Sequence, residues 1–511
     1  MTQHPAIPPY DGLVLGGGPA GCAAAILLAR RGHRVGLVRP LSPPASALAE
    51  SIPPSARRVL EELGALGAVE DAGFHPNRGN SVWWGEQPLR RETFADDAMG
   101  FHTDRGSLED VLAIVAERAG VRVHGGVSAR AVERAGDVWS VRGEGPGGTV
   151  HLRARWLVDA TGRHGLLARA DREPDRTTTT LAIVRRWHRP GGWPDDEAHH
   201  TMVESYADGW AWSVPISSDV RCVTAMIDQR HADLGGASPS DMLDRELDKT
   251  RHVGRLREGA EPRGDAWACP ASLYTSRRFA REGVLIAGDA GSFIDPLSSF
   301  GVKKALSSGW LAGVVVHTAL VDPGMAVTAL DFFDRREREV YRRYRAISAD
   351  FFAEAAEVYG TEYWIARAEA AHQVEATSAQ SPRSDSNLDV DPDRLETEIA
   401  EADVRRAFER IRALPRLEAA RGSTLRTLER PAIEGYRVKL QDHLATDACS
   451  GGVRFVRGVD LRQLVEIAPR HGDVPDGWAA YNGVAPPVTL PDYLTALATA
   501  FAVGVLEHDE A

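Results

Sequence analysis

"GLVLGGGPAGCAAAILLARRGHRVGLVRP", residues 12–40, decides how the rest of the chain is read. A short apolar run, Leu13 to Leu15, leads into glycines at 16, 18 and 21, and an Ala/Leu-rich stretch follows. That order predicts a strand, a glycine turn and a helix. Gly16 permits the tight turn, Gly18 lets backbone N–H groups approach a pyrophosphate, and Gly21 lets helix and strand pack closely. Gly16, Gly18, Ala20 and Gly21 are therefore the first candidate cofactor-binding residues. Arg31-Gly32 closes the helix, and "HRVGLV" reads as the next strand. Its end is where an acidic residue for an adenosine ribose is expected, yet Arg39 stands there. An arginine at this place serves an NADP 2′-phosphate, packs on an adenine, or is an ordinary surface charge, and position alone does not decide.

At 511 residues the chain exceeds what one core supports, so more than one domain is expected. A formal net charge of −12 argues against a nucleic-acid partner, which would need a basic footprint. Cys22, Cys222, Cys269 and Cys449 are isolated, with neither a metal-ligand spacing nor a disulfide framework. No metal is expected, and a reducing cytoplasm fits. The start has no basic, then apolar, leader, and no segment reads as the 18 or so apolar residues of a membrane span. The expectation is a cytoplasmic protein without a membrane partner.

Three later stretches share the strand-then-turn pattern or its companion charges: "FHTDRGSLEDVL" at 101–112, "WLVDATGR" at 156–163 and "GVLIAGDAGSFIDP" at 283–296. With the first glycine turn, they resemble the FAD-binding frame of the aromatic hydroxylase and flavin-dependent halogenase superfamily. The resemblance implies an α/β fold: a Rossmann-like FAD-binding domain with an antiparallel β-sheet substrate domain. It implies that Asp289 holds the ribityl chain and that Arg105 stands near the phosphates. It places Ser51, Pro296, Gly301 and Val302 beside the flavin, with a helix from Gly301 aiming its positive end at the ring edge that becomes negative on reduction.

Within that frame, Phe293, Pro296, Ser299 and Gly301 match the FxxPxxSxG spacing of flavin-dependent halogenases, and "GWAWSVP" (209–215) resembles their WxWxIP signature through Trp210, Trp212 and Pro215. Such halogenases rely on a lysine that directs hypohalous acid. The matching segment "NRGNSVWWGEQ" (77–87) has none, and the lysine position aligns with Trp83. "ESIPPSARRVLEELG", "GNSVWWG", "DPLSSFGVKKALSSG" and "FFDRREREVYRRY" together look like the halogenase-like flavoproteins that oxidise a tryptophan in a precursor polypeptide during cysteine tryptophylquinone maturation. This likeness covers residues about 10 to 370. It implies an FAD-dependent monooxygenase that hydroxylates an indole within a tryptophan-containing peptide or protein. Because Asp159-Ala160-Thr161-Gly162 reads as in two-component relatives, a separate NAD(P)H-dependent flavin reductase is implied. Trp83, Asp295 and Lys304 are the catalytic candidates, while Trp84, Trp210 and Trp212 are the candidates for stacking an indole. The rival readings are a halogenase of an indole, pyrrole or phenol, and an FAD-bound escort for a precursor polypeptide.

The expected domains are an FAD-binding domain over 8–175, interrupted near 75–100 by a piece of the substrate domain, and a β-sheet substrate domain over 176–275. The FAD-binding domain returns over 276–325, then a helical segment over 326–372, a polar linker over 373–395 and an extension over 396–511. The extension places Leu461, Leu464, Val465 and Ala468 on one helix face and Leu494, Leu497, Ala498 and Phe501 on another. Two such helices predict a mainly helical, winged-helix-like module. Docking a peptide, capping the active site and mediating oligomerisation are equally open roles for it.

Overall fold

The computed structural model describes residues 8–40, 48–95, 98–175, 178–230, 236–376, 401–414 and 416–508. The chain forms two compact units, Met1–Thr377 and Ser378–Ala511.

In the first unit the strand Tyr10–Leu15 lies at the centre of a parallel sheet, with Val35–Arg39 on one side and Gly148–Asp159 on the other. Arg122–Gly125 and Val284–Ile286 continue it outward. Leu13 and Leu15 are fully buried in its core. Buried on both faces, such strands read as unbroken apolar runs. The helices Pro19–Arg30 and Gly301–Val321 pack so closely that a Cβ on Gly309 would stand 2.0 Å from the Ala20 carbonyl oxygen. Small residues along the second helix make that approach possible.

Gly301–Val321 also corrects the expectation that no segment has the length and hydropathy of a membrane span. It has 21 residues and a mean hydropathy of 1.2, but 83% of that window is buried within the protein. Its apolarity is that of a core helix.

The second sheet has seven strands in the order Glu261–Pro270, Thr180–His188, Val220–Asp228, Gly209–Pro215, His200–Tyr206, Gly79–Trp83 and Arg90–Thr93. It is antiparallel except where His200–Tyr206 runs parallel to Gly79–Trp83. One face is covered by the helix Pro239–Leu247 through Ile183, Met202, Ala211 and Leu243. The other carries Val82, Trp84, Val203, Trp210, Trp212 and Met226, and it meets Ala49, Phe293 and Leu297 of the nucleotide-binding frame. Side chains alternate across a strand, so each residue's register decides which face it serves.

Trp84 is fully buried here. Its indole nitrogen donates to the Phe351 carbonyl at 2.7 Å, and Trp210, Phe351 and Trp364 meet it edge-on at 6.3, 5.6 and 5.3 Å. Replacing it with alanine removes the ring and orphans a carbonyl. Trp84→Ala is expected to lower unfolding stability by about 3–5 kcal/mol in a denaturant titration of the FAD-bound protein.

The helices Ala326–Tyr359 and Glu362–Ala376 complete the unit. The linker expected over 373–395 begins inside the second of these, and its residues from 377 on lie outside the described residues.

The second unit has its own core around Val459, Leu461, Leu464, Val465, Tyr493 and Leu497. The helix Leu490–Ala502 buries Tyr493, Ala496 and Leu497, while Leu494 and Phe501 stay half-buried, so its inner stripe is turned slightly from the one expected. The unit also contains a long hairpin, Arg426–Glu434 against Arg437–Ala445. Gly435 and Tyr436, at φ 55° and 68°, form its two-residue turn, the double left-handed geometry that matches strand twist.

Candidate active site

The glycine turn is shaped as a cradle. Gly16 sits at φ 109°, and a Cβ there would lie 2.2 Å from the Ala160 carbonyl oxygen. Gly21 is tighter still, since its Cβ would stand 1.8 Å from the Gly16 oxygen. A Cβ on Gly18 would meet only Glu109, at 3.5 Å, which leaves room for a ligand to approach. The helix Pro19–Arg30 has no side-chain cap and no acid in its first turn. Its unpaired N–H groups and dipole suit a pyrophosphate. Ala20 is part of this first turn. Arg39 lies across Gly17 and pairs with Asp110, at the end of the second strand of the fold.

Asp159 is held differently from a ligand. Its carboxylate accepts from the Thr161 N–H at 3.0 Å, the Thr161 hydroxyl at 2.6 Å and the Leu167 N–H at 2.6 Å, which ties the ATG turn into a knot. Arg172 stitches this turn to the later one. It donates to the carbonyls of Gly162 at 3.1 Å and Ala290 at 3.1 Å, and lies 4.2 Å from the Tyr274 ring centroid. The Tyr274 hydroxyl donates to the Asp289 carbonyl at 2.6 Å. In the sequence Arg172 stands in a charged run that reads as a solvated face, and no spacing marks it.

Asp289 follows Gly288, whose φ of 61° aims the turn. Its carboxylate keeps 15% exposure and lies 3.5 Å from the Lys304 ammonium. Arg105 opens the helix Arg105–Arg118 and contacts Glu50 at 3.6 Å and Glu109 at 3.1 Å. Burial alone would lower the Arg105 pKa, but Glu50, Asp289 and Glu109 together hold it raised. Burial pushes the Glu50 carboxyl up to about 7, against the pull of Arg105. Asp289, Arg105 and Glu50 are thus one electrostatic cluster, at the ends of three separate elements.

Strand alternation divides the Glu50-Ser51 pair. The Ser51 hydroxyl turns to Thr201 at 2.7 Å and accepts from Asn77 at 3.1 Å, anchoring the substrate sheet. Of this pair, both expected near the flavin, Glu50 is the member that joins Arg105.

The same alternation corrects the aromatic candidates. Trp83 lies on the face away from Phe293 and Leu297, stacked on His252 at 4.1 Å and an interplanar angle of 6°. Val82 is the neighbour on the site face, so Trp83 does not occupy a position between flavin and substrate. Trp84 and Trp210, 0% and 1% exposed, are core residues with no open face for an indole. Trp212 is half-buried on the site face, and its indole N–H has no hydrogen-bond partner among the described residues.

Asp295 caps the turn Pro296–Ser298 by accepting from the Leu297 N–H at 3.0 Å, and burial raises its pKa to about 6. The helix Gly301–Val321 then starts without a side-chain cap or a first-turn acid. Gly301 is exposed, and a Cβ there would touch nothing within 4 Å, so the N-terminus is open to a ligand edge at Gly301, while Val302 is buried behind it. Lys303 and Lys304 are both buried rather than solvated; Lys304 donates to the Ser292 carbonyl as well as to Asp289. A pyrophosphate cradle, a carboxylate for a polyol chain and an uncapped helix end at the substrate sheet fit FAD.

Comparison with known proteins agrees. The family model described as tryptophan halogenase matches residues 84–384. The chain is 30% identical over 376 residues to a tryptophan 2-halogenase of Chondromyces crocatus, covering 70% of each protein. It is 26% identical over 348 residues to a 1H-pyrrole-2-carbonyl-[peptidyl-carrier protein] chlorinase of Pseudomonas fluorescens, covering 61% of this chain and 76% of that protein. Among solved structures, the flavin-dependent halogenase CmlS superposes with a TM-score of 0.75 at 18% identity, covering 98% of this chain and 96% of its own. The peptidyl tryptophan dihydroxylase QhpG, essential for tryptophylquinone cofactor biogenesis, superposes with a TM-score of 0.66 at 24% identity, covering 97% and 100%. These two likenesses are of fold. From the family match and the curated relative together, the chain belongs to the tryptophan halogenase family and is an FAD-dependent oxidoreductase.

Proposed function

We propose that this enzyme is a monooxygenase that hydroxylates an indole, in a tryptophan held within a peptide or protein, with electrons from a separate NAD(P)H-dependent flavin reductase. The observation that carries the reading is the placement of lysine. The chain has only four lysines, Lys249, Lys303, Lys304 and Lys439. Lys249 pairs with Asp208 and Glu246 and lies over the Tyr206 ring, on the far side of the substrate sheet. Lys303 and Lys304 are buried in the helix behind the Asp289 turn, and Lys439 pairs with Glu434 in the second unit. A halogenase needs an amine between flavin and substrate, and the face bearing Trp212 has none.

Reduced FAD supplies the activation of O2. The balance is one indole C–H, O2, two electrons and two protons giving a C–OH and water. Indole is electron-rich, so the protein's task is orientation and proton supply more than base strength. Trp212 would lie against the substrate ring, and the helix end at Gly301 would stabilise negative charge at the flavin edge. Asp295, which caps the turn before that helix and whose pKa burial raises to about 6, would be the proton donor.

A second reading, halogenation, is favoured by the names of the relatives and by the Trp210/Trp212 signature. One experiment separates them. The holoenzyme, a flavin reductase, oxygen and a tryptophan-containing peptide are incubated with and without bromide. The expected product gains oxygen in either case. A monobrominated peptide would overturn the hydroxylase reading, and oxygen uptake no faster than that of the reductase alone would favour an escort.

A further inference from the structure

Glu337 belongs to the long helix Ala326–Tyr359, is 3% exposed and has no part in the site described above. It nevertheless faces the back of the cofactor turn. The Gly288 N–H donates to the Ser308 hydroxyl at 2.8 Å, and that hydroxyl donates to the Glu337 carboxylate. Lys304, one helical turn before Ser308, lies 3.5 Å from Asp289, and its charge also acts on Glu337. A single ammonium therefore acts on both carboxylates. Arg336 and Asp334 of its own helix also act on Glu337.

We propose that Glu337 is a positioning residue of the cofactor site, acting through Lys304 on Asp289 and through Ser308 on Gly288, and that its ionisation weakens FAD binding. The inference rests on the assignment of the Gly288–Asp289 turn to FAD. Burial favours the neutral acid and raises Glu337 to about 7, while Lys304 and the Ser308 hydroxyl favour the ionised form. When it is neutral, Lys304 balances Asp289 alone. When it ionises, Lys304 is shared and the site gains one negative charge facing a ligand that is itself anionic. The sign follows: affinity for FAD falls as pH rises through neutrality.

The test is FAD titration of the apoprotein between pH 6 and pH 8.5. In the wild type the dissociation constant is expected to rise about 5-fold or more across this range, the size of an ordinary coupling between sites. Glu50 titrates in the same window beside Arg105, so Glu50→Gln is measured in parallel and should remove only its own share. Glu337→Gln, which keeps the shape and removes the charge, should hold the low-pH affinity at high pH. Ser308→Ala, which removes the donor favouring the ionised form, should move the inflection to higher pH and serves if Glu337→Gln does not fold. A Glu337→Gln profile that superimposes on the wild type, or a Ser308→Ala inflection that does not move up, overturns the proposal. If Asp289→Asn leaves FAD affinity unchanged, it is the assignment of the turn that fails.

Discussion

Gly21→Ala is expected to deprive the protein of FAD, raising the dissociation constant by about 10-fold or more and leaving the purified protein largely colourless. The added Cβ would sit 1.8 Å from the Gly16 oxygen and 3.3 Å from Val14 Cγ1. Its nearest neighbour is backbone, so no side-chain rotation relieves the clash. Either the helix Pro19–Arg30 lifts off the sheet or the glycine turn moves, and both displace the N–H groups that face the pyrophosphate. Overpacking of this kind costs about 1–3 kcal/mol, and 1.4 kcal/mol is tenfold in binding. The helix cannot lift freely, because Gly309 locks it from the other side, 2.0 Å from the Ala20 oxygen in the same sense. Gly67→Ala is the control, since a Cβ there touches nothing within 4 Å and the glycine lies in a helix. FAD retention by Gly21→Ala equal to that of Gly67→Ala would remove the cradle from this account.

The nucleotide-binding frame was legible because its constraints are local. Gly16, Gly21 and Gly288 are required by clashes or by left-handed backbone within a few residues of one another in sequence or across one turn. The substrate face was less legible because it depends on strand register. A shift of one residue sends a side chain to the other side of the sheet. That single step separates Trp83, stacked on His252, from Val82 on the site face, and Ser51, bound to Thr201, from Glu50 beside Arg105. Arg172 and Glu337 were illegible for another reason. Each is a charge in a charged stretch, "RADREPDR" and "DRREREV", and only the tertiary fold turns it inward. The hairpin of the second unit was missed because Gly435-Tyr436 is an uncommon pair for its turn.

Removing residues 378–511 is expected to leave FAD bound while lowering kcat/KM on a tryptophan-containing peptide by at least tenfold, with turnover of a small free indole nearly unchanged. The glycine cradle, Arg105, Asp289 and the substrate sheet all belong to the unit Met1–Thr377. The unit Ser378–Ala511 buries Val459, Leu461, Leu464 and Leu497 in a core of its own. We propose that it docks the peptide. A free indole needs only the pocket beside Trp212, whereas a peptide loses conformational freedom when it is ordered there. A docking module offsets that cost by raising the local concentration of the target tryptophan, an effect worth about 10²–10⁴ without any new contact at the reacting ring. Steady-state assays of the full-length and shortened proteins, on the peptide and on the small indole, with FAD content and thermal unfolding recorded alongside, make the comparison. A loss shared equally by the two substrates would assign the second unit to shaping the active site. Equal activity on the peptide with and without it would assign peptide recognition to the first unit alone.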